Sequence, residues 1–428
     1  MMFPKKATPG IFFSTLILVI ALCYSCDTSK DLSVVNLSDL YRNNDRLYHP
    51  EFLVTHQTDT TSKLLVMLNT KEFLFSRQSD DHFRAFFTIS YRLAAAYESI
   101  NLLLDSGRTV FTIEENEKNM IKKYEVPFRL PKKSEMLLLV TIHDNQKNFE
   151  EEFYVNVDNT SKDSRQSFTA YTKDKDHPLF VNYISDHDSV KIVSRNPAVK
   201  QLYVKSYNRF FPLAPPPFSF DVRDDFDYKP DSVFTYDVND SDFIQLKRPG
   251  FYFFQTDTSE KNGFTLFVFS SSFPSVTSPE QMFECVRYLT TKREFEEMKS
   301  NQNKKSAMDK FWLELGGNPD RTKQLIKKYY TRIREANQYF TSYTEGWRTD
   351  RGMVYTIFGK PNSVYKSATA ENWIYGTPNN ALSINFFFTK VINPFTDNDY
   401  LLTREPLFES AWMRAVDVWR QGRVYNDN

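Results

Sequence analysis

Glycine and cysteine are both scarce in this chain. Only 11 of its 428 residues are glycine, few for a protein built on the glycine-rich loops that cradle phosphate groups. The three cysteines are Cys23, Cys26 and Cys285. No disulfide framework is expected, because Cys23 lies in an expected signal sequence and a lipidated Cys26 could not pair with Cys285. We interpret Cys285 as a buried small hydrophobic residue, with a reactive thiol as the alternative.

The chain also has no formal net charge, and its last third has no histidine. The 54 basic side chains balance 54 acidic ones, which argues against nucleic-acid binding by counterion release. All six histidines precede residue 188, so the last third cannot hold a histidine triad or a histidine-ligated zinc. There is no Gly-x-Ser-x-Gly motif and no phosphate loop. The sequence therefore predicts no catalytic residue, no metal and no cofactor.

Carboxylates cluster at residues 221–227 and 237–242. Such clusters bind calcium or supply a glycosidase pair in some proteins. Neither segment has the glycine and terminal glutamate of a calcium loop, so we interpret both as hydrated acidic loops.

Residues 1–25 have the order of a secretory signal. Lys5 and Lys6 precede an apolar run over residues 11–22, which is too short to span a bilayer. The run ends in Leu-Cys-Tyr-Ser-Cys and resembles a bacterial lipobox with Cys26 as the acylated residue. Ordinary cleavage after Ser25 is the alternative. We expect a lipoprotein held at a membrane by its N-terminal lipid.

The hydropathy pattern divides the remaining chain into four parts. Residues 26–45 are polar and predict a tether. Residues 46–157 contain about seven short strands separated by polar turns, which is typical of an immunoglobulin-like β-sandwich. Residues 165–275 predict a second β domain, and residues 278–428 change to helical periodicity. The expected fold is thus multidomain and β-rich, with one or two sandwiches before a C-terminal α+β domain.

Individual elements follow from the same patterns. Strands are predicted at residues 63–69, 72–75, 83–91, 109–113, 124–130, 135–142, 151–157, 179–183, 190–193, 201–207, 251–254 and 264–269. Residues 105–107 predict a turn, and a helix is the alternative for residues 93–104. Residues 212–217 contain three consecutive prolines and predict a stiff connector, with a proline-rich surface ligand as the alternative.

Two helices are predicted near residues 308–340. The first ends at Gly316 and Gly317, and Asn318-Pro319 has the sequence of an N-cap followed by a first-turn proline. The second carries an apolar stripe at residues 326, 329, 333, 336 and 340. Off that stripe lie Lys323, Lys327, Arg332, Arg334 and Glu335. This basic face either meets an anionic lipid or acidic partner or is simply solvated. A further helix over the last 26 residues carries Phe408, Trp412, Ala415 and Trp419.

Residues 343–361 carry the most specific motif. The segment reads Tyr-Thr-Glu-Gly-Trp-Arg-Thr-Asp-Arg-Gly-Met-Val-Tyr-Thr-Ile-Phe-Gly-Lys-Pro and resembles the GWxTD-domain family. The matching positions are Gly346, Trp347, Thr349, Asp350, Arg351, Gly352, Gly359 and Pro361. Family members are envelope proteins, often predicted lipoproteins, of Bacteroidota-type Gram-negative bacteria. The resemblance implies a fold and a location, and no established reaction.

Each motif residue also has a physical interpretation. Trp347 is suited to a core, while Gly346 accepts an unusual backbone angle. Thr349 or Asp350 can cap a helix that ends at Gly359. Arg351 is expected to pair with Asp350, Glu345 or Glu371. The motif is therefore either a recognition patch or a capped, tryptophan-anchored structural corner.

The favoured function is a non-enzymatic, lipid-anchored interaction or scaffold protein of the outer membrane, accessory to an assembly or transport complex. The helix, Gly-x-Pro, strand order also resembles small lipoproteins of outer-membrane assembly. Two alternatives stay open: a surface lipoprotein that binds glycans through exposed aromatic residues, and a carboxylate-dependent hydrolase.

Most of the 68 aromatic residues are expected in cores, but the run over residues 386–388 cannot lie on one strand face.

Overall fold

The computed structural model describes residues 32–41, 46–99, 102–131, 133–174, 177–221, 223–238 and 243–426. The predicted signal sequence and Cys26 lie outside these ranges. The described chain is β-rich, with several sheets followed by a mixed α/β region, which confirms the predicted fold class. None of the described helices is long and apolar enough to cross a bilayer.

The first unit is a sandwich of two antiparallel sheets. One sheet contains β1 (Glu51–His56), β2 (Thr61–Asn69) and β6 (Ile121–Arg129). The other contains β3 (Ser76–Arg77), β4 (Phe83–Ala94), β5 (Leu103–Glu114), β7 (Glu135–Asp144) and β8 (Phe149–Asp158). In β4 every second residue from Ala85 to Leu93 is buried, as a strand with one face on a core requires. The two inner faces enclose one apolar core.

Some predictions within this unit are wrong. Residues 72–75 form no strand, because a 3-10 turn over Thr70–Glu72 follows β2. Residues 105–107 belong to β5, and the alternative helix over residues 93–104 is wrong, because residues 93–94 and 103–104 lie in β4 and β5. A Cβ atom on Gly107 would lie 2.7 Å from Cε1 of Tyr91, so this glycine makes room for a cross-strand ring rather than a turn.

The second unit is another pair of sheets. One has the order β10 (Tyr183–Ser185), β16 (Phe264–Phe269), β15 (Gly250–Gln255), β12 (Gln201–Tyr207) and β13 (Ser232–Asp237). The other has β14 (Ile244–Gln245), β11 (Ser189–Ser194) and β9 (Phe168–Thr172). The predicted strands at 190–193, 201–207, 251–254 and 264–269 are confirmed, whereas of residues 179–183 only Tyr183 lies in a strand.

The C-terminal region combines six helices with a four-stranded antiparallel sheet. The helices are α1 (Pro279–Cys285), α2 (Lys292–Ser300), α3 (Lys304–Gly316), α4 (Pro319–Phe340), α5 (Asp350–Phe358) and α6 (Phe408–Arg420). The sheet order is β17 (Ser363–Lys366), β18 (Ala370–Tyr375), β19 (Ile384–Lys390) and β20 (Tyr400–Leu402). In β19 Phe386 and Phe388 are buried, while Phe387 lies on the other face and is 47% exposed.

The predicted helix ends are confirmed. Gly317 follows α3 with a φ of 74°, the left-handed conformation that glycine tolerates. The side chain of Asn318 caps α4, and Pro319 is its first residue. The predicted apolar stripe of α4 faces the core. Arg332 and Glu335 are buried too, however, so both are wrongly assigned to the basic face.

An aromatic cluster joins the second unit to the C-terminal region. Along β15, Tyr252 and Phe254 face the sandwich core, whereas Phe251 and Phe253 face the other way. There they meet Phe395, whose ring centroid lies 4.8 Å from that of Phe251. Strands β15 and β16 are therefore buried on both sides, which explains their continuous apolar sequence.

Residues 32–41 pack against the C-terminal region. The amide of Leu37 donates to the carbonyl of Val364 at 2.7 Å, and Oδ1 of Asn36 accepts from the amide of Val364 at 2.9 Å. Tyr41 is buried in the same apolar core as Leu137 and Leu139 of the first sandwich. The prediction of a tether is thus wrong for residues 32–41, because Tyr41 and Leu37 bury apolar surface there.

Candidate functional site

The GWxTD motif forms a corner between α4 and α5. A 3-10 turn over Gly346–Arg348 places Trp347 in the core, where it is 2% exposed. A Cβ atom on Gly346 would lie 1.9 Å from the carbonyl oxygen of Ala336, and one on Gly352 would lie 1.8 Å from that of Gly346. Gly346 has no positive φ, so close backbone packing, not an unusual angle, demands glycine here.

Caps fix both ends of α5. Oγ1 of Thr349 accepts from the amide of Gly352 at 3.1 Å, so of the two predicted candidates Thr349 is the N-cap, and Asp350 is the first residue of the helix. Gly359 ends the helix with a φ of 80°. Pro361 is buried two residues before the start of β17. The motif thus sets the length and direction of the helix.

Asp350 and Arg351 point to different partners. Both oxygens of Asp350 bond to Arg404, and Oδ2 also accepts from the amide of Leu402 at 2.8 Å. Arg351 donates to Oε1 of Glu371 at 2.9 Å. Of its three predicted partners, Glu371 is therefore the correct one. The pair of Arg351 with Asp350 does not form, because Arg404 takes that carboxylate.

Glu371 is the centre of a buried ionic network. It accepts from Arg351 and from Nζ of Lys366 at 2.8 Å on one oxygen. The other oxygen accepts from Tyr41 at 2.7 Å and from Nε1 of Trp373 at 3.0 Å. Burial alone would raise the pKa of Glu371, but the two cations and these hydrogen bonds lower it to about 2. The network ties the N-terminal segment to the motif.

The proline-rich connector lies across the motif corner. The amide of Ala214 donates to the carbonyl of Arg348 at 2.9 Å, and Arg404 donates to the carbonyl of Pro215 at 3.2 Å. The amide of Glu405 donates to the carbonyl of Pro217 at 3.1 Å. The stiff connector predicted from the sequence is thus held by the same arginine that binds Asp350.

A cleft of about 470 Å³ lies between this connector, the acidic segment at 221–227 and the motif corner. Of the eight motif residues, Thr349 and Asp350 line it. Its walls contain three buried polar atoms without a hydrogen-bond partner in the described part of the chain: Nη1 of Arg348, Nε of Arg404 and Oγ of Ser342. Ser342 is 1% exposed. Phe211 and Tyr343 supply apolar surface beside these groups, so the cleft offers unsatisfied donors within an apolar frame.

The acidic segment forms the outer wall. Arg223 donates to both oxygens of Asp399 at 2.9 and 3.0 Å, which fixes the segment to the C-terminal region. Asp224 and Asp225 are exposed at the cleft. The sequence pattern indicated acidic loops but did not connect them with the motif, since Arg223 and Asp399 are far apart in the chain. Residues 239–242 of the second acidic cluster lie outside the described residues.

Two further sequence interpretations concern chemistry. Cys285 is fully buried, and this burial raises the pKa of its thiol well above the usual value, which agrees with its interpretation as a core residue. In the part of the chain that the structure describes, no group of three or more His, Cys, Asp or Glu side chains is arranged to hold a metal ion.

The C-terminal region matches a known protein-family model. Residues 250–421 match the model of the GWxTD domain. No curated protein matches the chain. The match begins at the first residue of β15, upstream of the boundary predicted at 278. It thereby includes both aromatic strands that pack on Tyr343 and Phe395.

Proposed function

We propose, from the match of residues 250–421 to the GWxTD domain, that the chain is a lipid-anchored interaction protein of a Gram-negative cell envelope. Its role would be accessory to an outer-membrane assembly or transport complex. Support comes from the signal-like N-terminus with Cys26 and from the packed arrangement of two sandwiches on one C-terminal region. Lipid would fix one end, and the cleft would hold a segment of the partner.

The observation that carries this proposal is the set of unpaired donors in the cleft. Buried N–H and O–H groups cost free energy unless an acceptor reaches them, about 1–3 kcal/mol each. Arg348, Arg404 and Ser342 present such groups beside apolar rings. An extended peptide segment supplies backbone carbonyl or carboxylate oxygens together with apolar side chains, so it fits this lining.

Site-specific photocrosslinking tests the cleft. A photoreactive residue at Asp225, exposed at the cleft, is expected to capture one discrete envelope protein in living cells. The matched position is Lys247, which is also exposed and does not line the cleft. Arg348→Lys removes the unpaired N–H but keeps the charge, and it should reduce capture at Asp225. Equal capture from both positions, or none from either, would contradict the proposal.

Mass spectrometry of the mature N-terminus tests the anchor separately. Diacylated or triacylated Cys26 is the expected result, and a free thiol at Cys26 would refute the lipid anchor. A Cys26→Ser variant should then leave the membrane fraction while the cleft keeps its crosslinking pattern in solubilised extracts.

A glycan is the second candidate ligand. Phe210, Phe220 and Tyr228, which flank the cleft segments in sequence, are 73%, 84% and 53% exposed, and exposed rings of this kind can stack on sugars. Affinity electrophoresis in polysaccharide gels should show retardation that Phe220→Ala weakens. A hydrolase at this cleft would have to use Asp221, Asp224, Asp225 or Asp227, because the side chain of Arg404 and the amide of Leu402 occupy Asp350. The test of that alternative is loss of any glycosidase activity in a variant with all four changed to Asn.

A further inference from the structure

A second groove lies along α4, between this helix and the C-terminal segment over residues 422–424. It has a volume of about 830 Å³. Five basic side chains line it, and no acidic residue does so among the described residues: Arg321, Lys327, Lys328, Arg334 and Arg423. The sequence predicted a basic face here but included Arg332 and Glu335, which are buried. Lys323 does not line the groove either, so Lys327 and Arg334 are the predicted residues that do, and Arg321, Lys328 and Arg423 join them.

Arg321 and the C-terminal segment form one side of this groove. The guanidinium of Arg321 donates to the carbonyls of Gly422 and Gln421 at 3.0 and 3.1 Å. Nε of Arg334 is buried without a hydrogen-bond partner, so an acceptor oxygen in the groove would satisfy it. Lys327 and Arg423 are exposed at the surface. The groove thus gathers positive charge around at least one unsatisfied donor.

The N-terminal segment reaches the same end of the molecule. Nζ of Lys360 lies 3.1 Å from Oδ1 of Asp39, and the carbonyl of Lys360 accepts from Asn426 at 3.2 Å. Asn426 is two residues beyond Val424, which lines the groove. Cys26 precedes Leu32 by only six residues, a span of at most roughly 20 Å. A lipid on Cys26 would therefore hold this end of the protein close to the membrane surface.

We propose that the groove formed by α4 and residues 422–424 docks onto anionic phospholipid headgroups. The phosphate oxygens would accept from Arg334 and neutralise Lys327 and Arg423. This inference rests on the proposed membrane anchor for its orientation, but the groove itself is testable without the lipid. A chain beginning at residue 27 retains every described residue and cannot be acylated at Cys26.

Vesicle sedimentation of that chain tests the groove. We expect binding to phosphatidylcholine vesicles that contain about one-third phosphatidylglycerol, and none to pure phosphatidylcholine. Lys327→Gln with Arg423→Gln should weaken the partition coefficient by roughly 10- to 30-fold, from about fivefold per basic residue near an anionic surface. About 1 M NaCl should abolish binding, since it shortens the Debye length to about 3 Å.

The matched control removes the same charge elsewhere. Lys247→Gln with Arg248→Gln alters two exposed basic residues of the second unit, and its binding should stay within about twofold of the parent. Unchanged melting temperatures would show that both variants fold. Equal weakening by both pairs, or no binding to anionic vesicles, would overturn the proposal. Binding to polyglutamate but not to vesicles would overturn it in favour of an acidic protein partner. Because the tested chain lacks Cys26, a failure of vesicle binding would not bear on the lipid anchor, which mass spectrometry tests separately.

Discussion

Neutralising Glu371 is the sharpest test of how the motif region is held together. The side chain is 0% exposed and accepts from Arg351, Lys366, Tyr41 and Trp373. Glu371→Gln keeps the shape and removes the charge. Arg351 and Lys366 then stay buried without their counterion, which typically costs about 3–5 kcal/mol.

The pKa of Glu371 gives a similar free energy for its charge in the folded protein. Glu371 has a folded pKa of about 2 against an ordinary value of 4.5. A lowered carboxyl pKa contributes stability that is present above pH 4.5 and lost as pH falls towards 2. The difference corresponds to about 3 kcal/mol at neutral pH. The stability gap between the parent and Glu371→Gln should therefore be largest at pH 7 and shrink across the window from 4.5 to 2.

Thermal unfolding followed by circular dichroism provides the assay. A loss of 1 kcal/mol lowers the Tm of a domain of about 150–250 residues by about 2–4 °C, so Glu371→Gln should lower the Tm by roughly 10 °C. Glu296→Gln, on the exposed face of α2, is the matched control and should shift the Tm by less than about 2 °C. Adding Lys366→Met to Glu371→Gln should recover part of the loss, because one uncompensated charge is removed. A shift in Glu371→Gln as small as the control's would refute the reasoning.

Three further predictions concern packing. Gly352→Ala should lower the free energy of unfolding by more than about 4 kcal/mol or prevent folding, because its Cβ would lie 1.8 Å from a carbonyl oxygen. Gly317→Ala, with open space around it, should lower it by about 1 kcal/mol. Chemical denaturation compares the two variants. The Cys285 thiol should resist a thiol reagent until denaturant is added, and rapid labelling of native protein would contradict its burial. Phe388→Ala should lose about 3–5 kcal/mol and the half-exposed Phe387→Ala less than about 1 kcal/mol, so equal losses would refute the assigned faces.

Much of the fold could be predicted because its signals are local. A strand with one buried face shows a period of two, as in β4, and an amphipathic helix shows 3.6, as in α4. Caps depend on neighbours only three residues away, so the sequence identifies Asn318 as a cap and narrows the cap of α5 to Thr349 or Asp350. The GWxTD motif is equally local, because its fixed positions lie within one short segment of the chain.

The candidate site was only partly predictable. The sequence identified the motif, the proline connector and the acidic segment as separate features. Arg404 and Arg223 gave no local signal, because each donates to atoms that are distant in the chain. Ser342 gave none either, because the burial of its unpartnered hydroxyl depends on tertiary packing. Their roles depend on which surfaces of the second unit and the C-terminal region meet.

The sequence by itself determined element types, the order of the β-rich and helical parts, and the resemblance of the C-terminal part to the GWxTD domain. Tertiary structure alone decided that Arg351 pairs with Glu371, that Glu335 is buried, and that residues 32–41 pack on the C-terminal sheet. The physical reason is that a side chain's periodic position shows which face it occupies, but not what covers that face. A charge on a helix is solvated or buried according to the surface that packs against it, and that surface comes from distant parts of the chain.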